Sequence, residues 1–137
     1  MKKYTLYLLF ITGICFLTAC KKEDSHSERF TLLTIPVWTS DSLLANGEDA
    51  SGPGELLEKF AGDAKFNEDG TGYFGQYTGN WALTHDDEFI SISSDSLTIP
   101  VTCYIEELTG SDFKIITSFP VQSEPQPVDI RLTFKPK

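Results

Sequence analysis

The sequence lacks the residue patterns of the common catalytic, cofactor and metal sites. It contains no Gly-x-Ser-x-Gly elbow for a nucleophilic serine and no glycine-rich phosphate loop. His26 and His85 have no Cys or His partner at zinc-ligand spacing, and the acidic run at 86–88 lacks the spaced carboxylates of a calcium loop. We therefore expect a protein that is not an enzyme and that binds no metal and no cofactor.

Positive charge is also scarce. The chain has 11 Lys and Arg residues against 20 Asp and Glu residues, which gives a formal net charge of −9. No basic patch interrupts this excess, so nucleic acid and anionic membrane surfaces should repel the chain. We predict no nucleic-acid partner and attribute the acidic charge to solubility.

Cysteine is rare as well. Of the three cysteines, Cys15 and Cys20 lie near the amino terminus, which leaves Cys103 without a partner for an internal disulfide. Its neighbours at a spacing of two residues, Val101 and Ile105, are apolar. This pattern favours a buried structural thiol over a reactive one.

The amino-terminal apolar run, residues 6–17, is about a dozen residues long and shorter than the roughly 20 that a membrane-spanning helix needs. Lys2 and Lys3 precede it, as is typical of a signal peptide. The run ends in Leu17-Thr18-Ala19-Cys20, which resembles the lipobox of bacterial lipoproteins. That resemblance implies that the Cys20 thiol receives a diacylglycerol and that, after cleavage, its amino group receives a further fatty acid such as palmitate. A plain secretory signal and an uncleaved membrane anchor are the alternatives.

This resemblance divides the chain into a lipoprotein signal peptide at 1–19, a lipidated tether at 20–29 and a folded domain at 30–137. Lys21 follows the cysteine, whereas an aspartate there would favour retention in the inner membrane. The resemblance therefore implies a membrane anchor in the outer membrane of the cell envelope. A periplasmic and a surface-exposed orientation both remain open.

Regular alternation of apolar and polar residues dominates the last third of the chain. In one stretch the apolar face carries Leu97, Ile99, Val101, Cys103 and Ile105. In the other it carries Val128, Ile130, Leu132 and Phe134. A period of two with one apolar face predicts antiparallel strands that are buried on one side.

Turn signals such as Asp69-Gly70 separate about eight closely spaced strands. The first strand is predicted at 30–38, a long polar loop at 40–53 and a short helix at 54–61. Consecutive hairpins predict an all-β fold, an antiparallel up-and-down barrel of eight strands that leaves no free sheet edge. A two-sheet sandwich is the alternative.

Three short motifs resemble those of small bacterial lipocalin-like domains. Residues 66–71 read Phe-x-x-Asp-Gly-Thr, residues 79–83 read Gly-x-Trp-x-Leu, and residues 104–109 are similar to a Tyr-x-Ile-x-x-Leu-Thr strand with the isoleucine one place early. The resemblance implies an eight-stranded calycin-type barrel. The first strand offers Val37-Trp38 without the glycine of eukaryotic-type lipocalins, and no ligand is carried over.

Aromatic residues are the candidates for a ligand site in such a barrel. We predict Trp81, Tyr73, Tyr77 and Leu83 as lining residues. Our first hypothesis is a non-catalytic, lipid-anchored lipocalin-like protein that binds a small apolar or amphipathic ligand inside the barrel. The alternative is a structural or interaction module with a filled barrel, whose loops at 40–53 and 120–127 contact a protein or glycan partner. Large inward-facing side chains at mid-barrel would favour the alternative.

Overall fold

The computed structural model describes residues 26–137, so the predicted signal peptide and Cys20 lie outside the described residues. It contains α1 (Glu28–Thr34), β1 (Trp38–Ala45), β2 (Glu48–Asp49), β3 (Asp63–Phe66), β4 (Thr71–Phe74), β5 (Tyr77–Thr84), β6 (Phe89–Ser93), β7 (Val101–Leu108), β8 (Phe113–Phe119) and β9 (Val128–Pro136). A single 3-10 turn, Glu58–Phe60, lies between β2 and β3. Over the described range, no helix has the length and apolar character needed to cross a membrane.

Eight of the strands form one closed antiparallel barrel. β1 and β3 to β9 pair in chain order, and β9 returns to pair with β1. The short strand β2 stands apart, because it pairs only with Leu44 and Ala45 at the end of β1. Closure removes the free edges of the barrel strands. The prediction of an eight-stranded up-and-down barrel with one short helix is confirmed.

The helix lies at a different place from the predicted one. The predicted first strand at 30–38 begins inside α1, and the predicted helix at 54–61 contains only the 3-10 turn. The Ser27 hydroxyl caps α1 by accepting a hydrogen bond from the Phe30 N–H at 3.1 Å. At the other end, Lys65 Nζ donates to the carbonyl oxygens of Thr34 and Ile35. This second cap comes from a strand distant in sequence, so local patterning could not reveal it.

The predicted loop at 40–53 is mostly strand. β1 runs through it to Ala45, with a bulge between Ser40 and Ser42 where it pairs with β9. Asn46 and Gly47, with φ values of 50° and 83°, then turn the chain into β2. The bulge interrupts the alternation of inward and outward residues, which is why the sequence pattern did not indicate a strand here.

The predicted alternation of the two late strands is confirmed within their observed bounds. Cys103 and Ile105 on β7, like the predicted apolar residues of β9, are buried. β7 is shorter than expected because it begins after Pro100, which has no N–H to donate to a neighbouring strand. Ile99 therefore lies outside the strand and is exposed.

Helix α1 closes one end of the barrel, which we call the helix end. Leu33 is fully buried there, and its carbonyl oxygen accepts a hydrogen bond from Trp38 Nε1 at 3.0 Å. Arg29 Nη1 donates to the carbonyl oxygen of Asp87 in the β5–β6 turn at 2.9 Å. Alternate turns of an up-and-down barrel share one end, so the loops at 50–62 and 120–127 lie at the opposite end.

Candidate functional site

The interior of the barrel is packed with large side chains. The ring of Phe113 is fully buried, and its centroid lies 5.5 Å from that of Trp38, 5.7 Å from Phe66 and 5.6 Å from Phe134. Rings at these separations are in contact. Further buried apolar side chains surround this cluster: Leu43, Phe74, Trp81, Ile90, Ile92, Cys103, Ile105, Ile115 and Leu132. Protein atoms therefore occupy the space that a carrier barrel would give to its ligand.

The polar atoms of this core are already paired. Trp81 Nε1 donates to the carbonyl oxygens of Asn67 and Thr71, both at 3.0 Å, and Trp38 Nε1 is bonded to α1. In the part of the chain that the structure describes, every buried side-chain nitrogen or oxygen has a hydrogen-bond partner. An internal ligand would therefore find no free buried polar side-chain group to fix its orientation.

Three of the four residues predicted to line a ligand cavity lie on the inner face of β5. Trp81 is buried, and Leu83 is partly buried against the core. The ring of Tyr77 packs against Phe60 of the 3-10 turn with centroids 4.7 Å apart. Each of the three side chains is thus engaged in packing within the barrel.

The fourth, Tyr73, lies on the outer face of β4 with 38% of its surface exposed, which corrects its predicted placement. The spacing of residues 73, 75 and 77 predicted that Tyr73 and Tyr77 share one face of a single strand. The chain instead turns at Gly75 and Gln76, so Tyr73 lies on β4 and Tyr77 lies on β5. Gly75 is required there because its φ is 62° and a Cβ would lie 2.4 Å from the Lys59 carbonyl oxygen. The alternation of one strand therefore does not continue into the next.

A depression with a volume of about 840 Å³ lies on the described surface, outside the barrel. We call it the outer groove. It is lined by Leu44, Asn46, Gly47, Phe89, Thr102, Tyr104, Ile116, Thr117, Ser118, Asp129, Ile130 and Arg131. A row of directly paired residues crosses five strands along it: Leu44, Arg131, Ile116, Tyr104 and Phe89. At about 4.8 Å between strands, this row spans about 19 Å.

An exposed aromatic ring lies within the outer groove. Tyr104 points outward from β7 and is 41% exposed to solvent. Its ring meets that of Phe89 edge to face, with centroids 5.4 Å apart, and Phe89 in turn meets His85 at 5.3 Å. These contacts support the Tyr104 ring on one side while it remains accessible to solvent.

Polar groups surround the apolar part of the outer groove. The Asn46 N–H donates to the Asp129 carbonyl oxygen at 2.7 Å, and Asn46 Oδ1 accepts from the Asp129 N–H at 3.0 Å. The β1–β2 turn is thereby fixed against β9 beside the groove. Within the described residues, the side-chain oxygens of Asp129, Ser118 and Tyr104 take no part in these or other hydrogen bonds of the chain. They remain available to a ligand.

Ion pairs engage the cation that lines the outer groove, Arg131, and two lysines elsewhere on β8 and β9. Arg131 Nη1 donates to the Glu106 carboxylate, and Lys114 pairs with Glu107 on the neighbouring strands. Lys135 pairs with Asp112, and this hydrogen bond, with a further one from Ser111, lowers the pKa of the Asp112 carboxyl. The groove therefore presents little net positive charge.

Two smaller depressions lie elsewhere on the described surface. One, of about 570 Å³, lies at the helix end beside Trp81 and Leu83, but Phe30 of α1 packs its ring against Trp81 with centroids 5.5 Å apart. The other, of about 230 Å³, is lined by polar residues around Gly79 and Ser93. Both have less room than the outer groove.

Two kinds of residue that could carry chemistry, a cysteine thiol and metal-binding side chains, lie among the described residues. Cys103 is buried as predicted, and this burial raises the pKa of its thiol to about 12. Between residues 26 and 137, no three His, Cys, Asp or Glu side chains lie close enough together to hold a metal ion. In the acidic turn at 86–88, Asp86 and Asp87 adopt positive φ values of 56° and 64°.

Sequence reasoning did not identify the outer groove. Alternation did place Tyr104 and Arg131 on outward faces, but it could not show which residues of β1, β6 and β8 lie beside them. A usable signal was present: Leu44 and Ile116 are large apolar residues at outward positions, where polar residues are expected.

Comparisons with known proteins add no family to this description. No protein-family model matches the chain, and no curated protein matches it either.

Proposed function

We propose that this protein is a non-catalytic, lipid-anchored module of the cell envelope, with a lipocalin-like barrel that is filled and a recognition surface on its outside. The single observation that carries the proposal is the contrast between the two sides of the barrel wall. Large rings around Phe113 occupy the inside, whereas the outer groove, with the exposed Tyr104, lies on the outside. This contrast favours the interaction module over a carrier of an internal ligand.

The recognition surface differs from the loops that the sequence suggested. Residues 40–45 of the segment at 40–53 belong to strand β1, and the segment reaches the outer groove through Leu44 on that strand and through Asn46 and Gly47 in the turn after it. The loop at 120–127 lies at the end opposite α1, outside the lining of the groove. Contacts with a partner are therefore assigned to outward side chains of the barrel wall.

The proposal of lipid anchoring rests on the lipobox-like residues ending at Cys20. A lipidated Cys20 would be separated from His26, the first described residue, by residues 21–25. Six residue steps span at most about 20 Å, so the helix end would face the membrane. The outer groove, on the side wall of the barrel, would remain open to partners in the aqueous phase.

Replacing the acylated residue tests the anchor. In Cys20→Ser, we expect the protein to be recovered in the soluble fraction or to remain uncleaved, because serine has no thiol to accept a diacylglycerol. The measurement is cell fractionation with the mass of the processed chain. A processed Cys20→Ser protein that still fractionates with membranes would contradict the proposal.

The recognition surface is tested with a lipid-free form that begins at Lys21 and contains the whole barrel. We expect this form to co-sediment with purified cell envelopes, and we expect Tyr104→Ala to reduce the bound fraction several-fold. Tyr73→Ala is the matched control, because Tyr73 is an outward tyrosine of similar exposure on the distant strand β4. Equal binding by both variants, or no binding by the parent, would refute the proposed surface.

A further inference from the structure

We infer that the outer groove binds an uncharged carbohydrate, which deepens the proposed function and rests on it. The juxtaposition that leads to this assignment is an exposed aromatic ring, Tyr104, beside side-chain oxygens of Asp129 and Ser118 that bond to no other residue in the range 26–137, all in one elongated groove. A sugar ring combines an apolar C–H face with a rim of hydroxyl groups, and it needs both kinds of contact at once.

The aromatic part of the groove suits the C–H face of a sugar. The face of an aromatic ring is the negative part of its quadrupole, so it attracts C–H groups that carry partial positive charge. The Tyr104 ring is held by Phe89 on one side and is exposed on another. Leu44 and Ile116 continue this apolar surface along the paired row, so that more than one sugar unit could lie along it.

The polar part of the groove suits sugar hydroxyl groups, each of which both donates and accepts a hydrogen bond. The Asp129 carboxylate can only accept, the Ser118 hydroxyl can do both, and Arg131 keeps donors beyond the one used by Glu106. Asn46 is fixed by its two bonds to β9, which leaves its side-chain N–H groups as further donors. The groove thus offers donors and acceptors around one apolar platform.

Charge argues for an uncharged ligand. The chain carries a net charge of −9, and the cation in the groove, Arg131, is already paired with Glu106. Phosphorylated or carboxylated glycans would therefore be repelled without a compensating cation. The volume of about 840 Å³ lies within the range of roughly 300–1,000 Å³ that small-molecule sites occupy.

A peptide is the other class of ligand that an apolar groove could take, and the strand pairing disfavours it. Extended peptides usually bind by adding a strand to a free sheet edge. The five strands beneath the groove are all paired on both sides within the closed barrel. Recognition there must come from side chains, which suits a sugar better than a peptide backbone.

The test is a nitrogen-15 NMR titration of the lipid-free form with neutral hexoses and disaccharides, namely glucose, galactose, mannose, maltose, cellobiose and lactose, up to millimolar concentrations. We expect at least one of them to cause saturable shifts confined to residues of the outer groove. Tyr104→Ala should weaken that binding about tenfold or more, because the stacking surface is lost. Asp129→Asn, which replaces one acceptor oxygen with a donor NH₂ group and leaves the backbone bonds to Asn46 in place, should also weaken it.

Tyr73→Ala again serves as the control and should bind the sugar like the parent. Thermal unfolding of each variant establishes that it is folded, and Asp129→Asn keeps the test decisive should Tyr104→Ala unfold. No saturable shifts with any sugar, or shifts that Tyr73→Ala removes equally, would overturn the inference. Shifts of the same groove residues by peptides from a casein hydrolysate, without a response to sugars, would assign the groove to peptides instead. Envelope binding that depends on Tyr104 would survive either of these results, so the two proposals fail separately.

Discussion

Truncating Phe113 to alanine should cost a large part of the stability of the barrel. Phe113 is fully buried and meets three other rings at centroid distances between 5.5 and 5.7 Å. Phe→Ala substitutions in protein cores typically cost about 3–5 kcal/mol, and each aromatic pair adds about 0.5–1.5 kcal/mol beyond area burial. With three pairs lost, we expect the free energy of unfolding to fall by an amount in the upper half of that range, about 4–5 kcal/mol.

Urea unfolding of the lipid-free form, followed by tryptophan fluorescence, measures this change. The dependence of the unfolding free energy on urea should stay the same, so that the midpoint alone moves. Tyr73→Ala, on the outer face, should cost about 1 kcal/mol or less. A cost of under about 1 kcal/mol for Phe113→Ala would contradict a filled barrel, because few contacts are lost when a ring beside an open lumen is removed.

The remaining predictions concern a thiol and an ion pair. Because burial raises the pKa of Cys103 to about 12, its thiol should not react with Ellman's reagent in the native protein at neutral pH and should react fully in urea; rapid native reaction would contradict the burial. The pKa of Asp112 is lowered from 3.8, mainly by hydrogen bonds from Lys135 and then Ser111, so its ionised form favours the folded state. That contribution is present above the unfolded pKa and is lost as the pH falls below about 4 through the folded pKa. Asp112→Asn should therefore be less stable than the parent at pH 7 and should lose less on acidification in urea titrations; identical pH profiles for the two proteins would contradict this role.

The sequence predicted the barrel because its signals were local and repeated. Residues 101–106 of β7 and the residues of β9 alternate between apolar and polar, and turn dipeptides such as Asp69-Gly70 separate strands that pair with their chain neighbours, apart from the closing β1–β9 pair. An up-and-down topology follows from such signals without knowledge of distant contacts. Where the alternation is broken, as at the β1 bulge between Ser40 and Ser42, the prediction of a loop was wrong.

The sequence could not show that the lining residues of the outer groove form one surface, because this depends on register between strands. Leu44, Ile116 and Tyr104 are distant in sequence and meet only through the pairings of β1, β7, β8 and β9. The position of α1 was missed for the same reason, since Lys65 stabilises its end from a strand far along the chain. The sequence also could not show whether Tyr73 points inward or outward. That direction depends on the position of the turn after β4, and alternation over so short a strand does not indicate where the turn lies.

Whether the barrel is filled can be measured by titrating the lipid-free form with Nile red, an uncharged apolar dye, while near-ultraviolet circular dichroism reports fixed tertiary packing. We expect no saturable one-to-one binding of the dye to the interior of the native parent. Phe113→Ala, which opens a cavity among the rings of Trp38, Phe66 and Phe134, should gain binding of benzene, a ligand of the size of the deleted ring, and the parent should not bind it. Tight one-to-one binding by the native parent that persists in Tyr104→Ala would place a ligand inside the barrel and contradict the account.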